Sequence, residues 1–237
     1  DNADNPFEDS SGNGNDLTSA GADPTYDSGA GHYDFDGEQR LVAPLNINPD
    51  AVPELTVGAW VRTDTLEPAL HKVIGHDDGG WDRTIGLDNR DGDFRYTSFV
   101  GNQRPVVGTP GPENTEDWTL LVAVLDQPNN EVTVYVDTNV ATTDDPVFSI
   151  SEPTLFGAGF PTVSIGSLRP DNNAEGWVGS IDNAFFVNGL LSADDITLLR
   201  DSGISALIGG GDGGGGGGKT IAITEEGLDG DEPTVVG

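Results

Sequence analysis

Short apolar runs follow one another along this chain, each broken by glycine, proline, asparagine or aspartate. Leu55-Thr-Val-Gly-Ala-Trp-Val-Arg62 alternates, with Leu55, Val57, Ala59 and Val61 on one side, as a strand with one buried face does. Phe94 to Val100, Thr119 to Leu125 and Glu131 to Asp137 predict further strands. In the last, Val132, Val134 and Val136 point one way, Thr133 and Tyr135 the other. Pro128-Asn-Asn130 predicts a hairpin turn, and Asn89-Arg-Asp-Gly92 joins another pair. Val163 to Ile165 and Trp177 to Val187 complete the set, and Trp60, Trp118 and Trp177 are assigned to the core. Many short strands separated by turn residues predict an all-β, antiparallel sandwich.

One helix interrupts the pattern. Ser192-Ala-Asp-Asp195 is a capping-box variant with acidic residues at the positive end of the helix dipole. Ile196, Leu198 and Leu199 supply its apolar face, and Gly203 closes it after about ten residues. It is expected to pack across one end of the sandwich.

Beyond the helix, Gly209 to Gly218 are glycine except for Asp212. Such a run behaves as a flexible tether. It leads to Thr220-Ile-Ala-Ile-Thr224, a strand pattern with Ile221 and Ile223 on one face.

Charge changes the picture of where such a chain works. Ten Lys+Arg against 41 Asp+Glu give a formal charge of -31, and Lys72 and Lys219 are the only lysines. Self-repulsion of this size opposes compaction in dilute buffer and fades in molar salt, where the Debye length is about 3 Å. The composition resembles halophilic, especially haloarchaeal, protein surfaces; an acidic marine or other extracellular protein is the alternative. Nucleic acid and anionic membranes are excluded as partners by their phosphates. Cysteine is absent, so no disulfide supports the fold. Methionine is absent too, so Asp1 is read as a processed start. No apolar stretch approaches the ~20 residues that span a bilayer. A secreted or cell-surface polypeptide is expected.

Four stretches, in order, resemble a laminin-G-like, concanavalin A-like jelly roll. Asp9-Ser-Ser-Gly-Asn-Gly-Asn15 resembles its opening loop, and Tyr33-Asp-Phe-Asp-Gly37 and Leu55 to Arg62 its next core strands. Gly176 to Val187, followed by Leu191-Ser-Ala-Asp-Asp-Ile196, resembles its closing strand and helix. The domains implied are a jelly roll at 1–208, a tether at 209–218 and a donor-strand tail at 219–237. There are departures. Asp182-Asn183 stands where the family carries an acidic pair. Thr119 and Leu120 follow Trp118 where histidines are common. The apolar strand that normally precedes the opening loop is replaced by Asp1-Asn-Ala-Asp-Asn-Pro-Phe7, which cannot fill a buried sheet. The chain thus lacks a first strand and carries a spare one at its end.

The resemblance also implies a structural Ca2+ held by Asp9, Asn13 and Asp182. His71 and His76 are five residues apart with no third ligand at suitable spacing, and are read as solvated loop histidines. No paired catalytic carboxylates, cysteine nucleophile, serine elbow or phosphate loop is present, so no enzyme is expected. Trp81, with Asp77 and Asp82, could stack on a sugar and bind its hydroxyls, or simply cover a sandwich edge. The leading expectation is a filament subunit whose Thr220, Ile221, Ala222, Ile223 and Thr224 complete the sheet of another copy, near Phe7. The alternatives are a monomeric carbohydrate-binding or adhesion module, which would meet surface polysaccharide, and a tail folded into its own vacant slot. The tether reaches roughly 35 Å, enough for either docking.

Overall fold

The computed structural model describes residues 7–9, 11–79, 82–90, 94–100, 107–110, 117–137, 139–143, 160–209 and 220–224. Two antiparallel sheets enclose one core. The first runs, in spatial order, Thr18–Ser19 (β1), Leu41–Ala43 (β4), Val163–Ile165 (β13), Leu70–Gly75 (β6), Thr84–Asp88 (β7), Arg95–Phe99 (β8) and Val107–Pro110 (β9). The second runs Asn139–Thr143 (β12), Glu131–Val136 (β11), Thr119–Asp126 (β10), Glu54–Thr63 (β5), Val178–Asn188 (β14), His32–Asp36 (β3) and Thr25–Asp27 (β2). Thr220–Thr224 (β15) also joins this sheet, on β14.

The alternation in the sequence is what closes the sandwich. Leu55, Val57, Ala59 and Val61 of β5 face inward with Leu121, Ala123 and Leu125 of β10 and Val132, Val134 and Val136 of β11. They meet Ile74, Ile85, Leu87, Tyr96 and Ile165 from the first sheet. Each valine, leucine or isoleucine among them, fully buried, contributes about 1.5–3 kcal/mol. The β10–β11 hairpin turns at Gln127–Asn130, with Asn130 at a positive φ of 57° that asparagine tolerates better than most residues. Asp126 Oδ1 accepts the Asn129 amide at 3.0 Å and fixes the turn.

Ala193–Ser202 (α1) begins on the expected capping box: Ser192 Oγ accepts from the Asp195 amide, and Asp195 Oδ2 accepts from the Ser192 amide. Gly203 ends it at φ 72°. Its place differs from the expectation. Instead of crossing one end of the sandwich, α1 covers the outer face of the second sheet, followed by Ser205–Gly209 (α2). The reason lies in strands that are apolar on both sides. Trp60, Leu120, Val122, Phe185 and Val187 point away from the core and would be wet without Ile196 and Leu199. Leu198, assigned to the apolar face of the helix, is 43% exposed.

Candidate functional site

The edge of β14 is shared by two strands placed end to end. Residues 178–181 pair with β3, from Val178↔Asp36 to Ile181↔Tyr33. At Ala184–Asn188 the partner is β15: Phe185↔Ile223, Phe186↔Ala222 and Val187↔Ile221. β5 takes the opposite edge along the whole length, with a register shift between Asp182 and Phe185 and Asn183 at φ 48°. At this bulge an apolar cavity opens, lined by Leu17, Tyr33, Phe35, Ile165, Ile181 and Ala184. Along this edge of β14, β3 covers residues 178–181 and β15 covers residues 184–188.

Within this one chain, residues 220–224 pair with its own β14. A tethered strand meets its own edge at millimolar effective concentration, so docking in cis needs no partner. In register, Ile223 is opposite Phe185 and Ile221 opposite Val187, two residues of the helix-covered outer layer.

The opening loop is held by its own aspartate. Asp9 Oδ1 accepts from the Ser11 amide at 2.9 Å and from Ser11 Oγ at 2.5 Å. Oδ2 accepts from the Asn15 amide at 2.8 Å and from Asn15 Nδ2 at 3.0 Å. Burial pushes this carboxyl up, but the bonds from Ser11 and Asn15 outweigh it and hold it below the usual range. Asn13 Nδ2 donates to Ser11 Oγ at 2.8 Å, and Asp182 Oδ2 accepts from Asn183 Nδ2 at 2.9 Å. Among the described residues no group of three or more His, Asp or Glu is placed to hold a metal ion. The calcium assignment thus rests on the resemblance alone. Phe7, at the start of the loop, stacks on Tyr33 of β3 with centroids 5.6 Å apart.

Trp81 lies outside the described residues. Its companions Asp77 and Asp82 are 3% and 2% exposed, so neither carboxylate is presented to a ligand as the sequence reading required. Burial and the neighbouring Asp77 charge push the Asp82 carboxyl well above the usual range. The two histidines are not solvated either. His71 lies on β6 with Nδ1 2.8 Å from the Gly176 carbonyl, and His76 is fully buried, which lowers its pKa to about 4. Between them Lys72 is 0% exposed, with Nζ 3.5 Å from the Phe99 ring centroid. Among the described residues Nζ has no hydrogen-bond partner. Desolvation lowers its pKa to about 7 despite the attraction of Glu175, Asp88 and Asp77. No pattern in the sequence marks these residues as buried, since β6 presents polar side chains to a face that solvent does not reach.

Comparison with known proteins agrees with this architecture. The model of the concanavalin A-like lectin/glucanases superfamily (Laminin_G_3) matches residues 35–197. The chain belongs to this family. Domain 4 of AbnA, a GH43 extracellular arabinanase from Geobacillus stearothermophilus solved in complex with arabinotriose, is 21% identical with a TM-score of 0.57. That match covers 84% of this chain and 94% of that one. The native heptameric SAP-like pentraxin from Limulus polyphemus is 14% identical, with a TM-score of 0.54 over 80% of this chain and 84% of its own. The binding domain of botulinum neurotoxin serotype D is 12% identical, with a TM-score of 0.56 over 80% of this chain and 48% of its own. At these identities the likeness is one of fold. No curated protein matches the chain in sequence.

Proposed function

We propose that this chain is a non-enzymatic, extracellular jelly-roll subunit whose C-terminal strand can be donated to the next copy, linking subunits head to tail into a surface filament. The observation that carries the reading is the β14 edge at residues 184–188: β3 leaves it uncovered, and only the last strand of the chain fills it among the described residues. The strand that fills it hangs on a near-continuous glycine run, which gives it no preferred direction. The pairing spans five residues, so release from its own domain costs little compared with unfolding. Exchanged between copies, the same contact is heterologous and continues without limit unless it closes into a ring. A membrane span is not supported, since no helix among the described residues is long and apolar enough.

A second reading has its own support. Docking in cis satisfies the edge without any other molecule, as a monomeric carbohydrate-binding or adhesion module would. The family, which joins lectins and glucanases, and the sugar-bound arabinanase domain of similar fold favour it.

Truncation separates the two. A chain lacking residues 219–237 should bind a synthetic peptide of residues 219–225, and full-length protein at rising concentration should form filaments under negative stain. Full-length protein that remains monomeric up to millimolar concentration leaves the monomeric module standing. A truncated chain that ignores the peptide removes the strand from both readings.

A further inference from the structure

We propose that the edge of β15 turned away from β14 pairs with the same edge of a second copy, antiparallel and about a twofold axis at Ala222. β15 lies on β14 along one edge only, from Asn188↔Thr220 to Ala184↔Thr224. Among the described residues its other edge pairs with no strand. The ladder donors and acceptors on that side are a template for another chain, which soluble proteins ordinarily blunt. The remaining sheet edges carry such deterrents. β1 has two residues, β2 contains Asp27, β9 ends on Pro110, and β12 runs in sequence into Asp144-Asp145-Pro146. β15 has no charge, proline or glycine.

The order of residues selects the partner. Thr220-Ile-Ala-Ile-Thr224 reads the same in both directions. Two copies laid antiparallel about Ala222 therefore bring Thr220 opposite Thr224, Ile221 opposite Ile223 and Ala222 opposite itself. In sequence the segment is flanked by Lys219 and Glu225, so one further step of the same pairing sets a lysine opposite a glutamate at each end. Threonine pairs, β-branched pairs and pairs of opposite charge are the combinations that stabilise neighbouring antiparallel strands. The chain has only two lysines against 41 acidic residues, and one of them stands where this pairing uses it. None of the other edge strands, β1, β2, β9 and β12, is symmetric in this way.

The contact is isologous and closes at two copies, unlike a head-to-tail link. It uses the edge of β15 that faces away from β14, so it is the same whether β15 sits on its own β14 or on that of another copy. It therefore stands or falls independently of strand donation. Five paired residues are far fewer than the roughly 20–30 a side of a stable interface, so the pair is weak. The charge of -31 on each copy opposes it until salt screens the repulsion.

The chain has no cysteine, so a single introduced thiol reports on the twofold axis. Cα atoms directly opposite each other on antiparallel strands stand about 4.5–5.5 Å apart, within reach of a disulfide. The full chain carrying Ala222→Cys, oxidised in molar NaCl, should give a covalent dimer on a non-reducing gel. Thr220→Cys alone should give about tenfold less, because the two thiols lie about 13 Å out of register. Mixing Thr220→Cys with Thr224→Cys should restore a dimer holding one copy of each. Sedimentation equilibrium at rising concentration supplies a second reading that needs no thiol. Lys219→Glu and Glu225→Lys each set like charges opposite one another and should each weaken self-association about fivefold. A mixture of these two variants makes every charged pair opposite again and should associate as the wild type does. No dimer from Ala222→Cys, equal cross-linking of Thr220→Cys and Ala222→Cys, or a charge-variant mixture no better than either variant alone would each overturn the proposal. Filaments that form without a link at residue 222 overturn it too, and leave strand donation standing. The link in protein that never forms filaments bears the pairing out and counts against donation.

Discussion

Phe185 occupies the space that a side chain at position 58 would need. A Cβ on Gly58 would lie 2.5 Å from Phe185 Cζ and 2.8 Å from the Leu121 carbonyl oxygen. Gly58 and Phe185 are direct partners in the β5–β14 ladder, so the missing side chain on one strand is filled by the ring from the other. Glycine inside a strand ordinarily weakens it; here it marks a close approach. Phe185 in turn forms part of the floor under α1 and is the residue opposite Ile223 of the tail strand. Gly58→Ala should therefore destabilise the fold by about 1–3 kcal/mol, the usual cost of overpacking. Urea unfolding reads this directly, and an unchanged midpoint would show that the ring can move aside.

Lys72 gives the stability curve a slope in alkali. Its folded pKa is near 7 and its unfolded value near 10.5. Between these two the unfolded chain binds the proton and the folded one does not, so stability rises with pH across this window. Below about pH 7 both states are protonated and the full burial penalty is present. Lys72→Met should raise stability at pH 6 by a few kcal/mol in order of magnitude, and this gain should shrink toward pH 10. A wild-type minus variant difference that stays flat from pH 6 to 10 would sink the assignment.

Salt should stabilise the protein. The net charge of -31 is spread over a 237-residue chain, and its repulsion is screened only at high ionic strength. The melting temperature is expected to rise from 50 mM to molar NaCl or KCl. A constant or falling value would remove the ground for a halophilic setting.

Asp9 bears on both acid stability and calcium. Its depressed pKa contributes stability that is present above about pH 4 and lost as pH falls through the folded value. Asp9→Ala leaves the Ser11 and Asn15 donors without their acceptor, a loss of about 1–3 kcal/mol. If Asp9, Asn13 and Asp182 bind Ca2+, the ion raises the melting temperature by mass action and Asp182→Ala cancels the rise. A wild type indifferent to chelator would show that the loop is closed by protein donors alone.

The sandwich was legible because period-two alternation is imposed by the core itself: Leu55 to Val61 and Val132 to Val136 can bury one face only as strands. The helix was legible for the same local reason, since Ser192 and Asp195 cap it through bonds three residues apart. The position of the helix was not, because it depends on Trp60, Leu120 and Phe185 lying side by side on strands far apart in sequence. Likewise, nothing near Lys72 or His76 announces burial. The strand at 220–224 was readable from its alternating isoleucines, but the edge it joins lies beyond the bulge between Asp182 and Phe185, which no local pattern marks.

The order of synthesis gives the β14 edge one more consequence. β15 begins at residue 220, 32 positions after β14 ends at residue 188. At about 5–20 residues per second, the ribosome leaves that edge without its final partner for about 2–6 s. During this interval every nascent chain presents the same open template, and neighbouring nascent chains on one message present it to each other. In sequence, the run Gly209 to Gly218, glycine at every position but Asp212, separates the two strands. Lengthening it would prolong the vulnerable interval without weakening the finished contact appreciably, because closure entropy grows only with the logarithm of loop length.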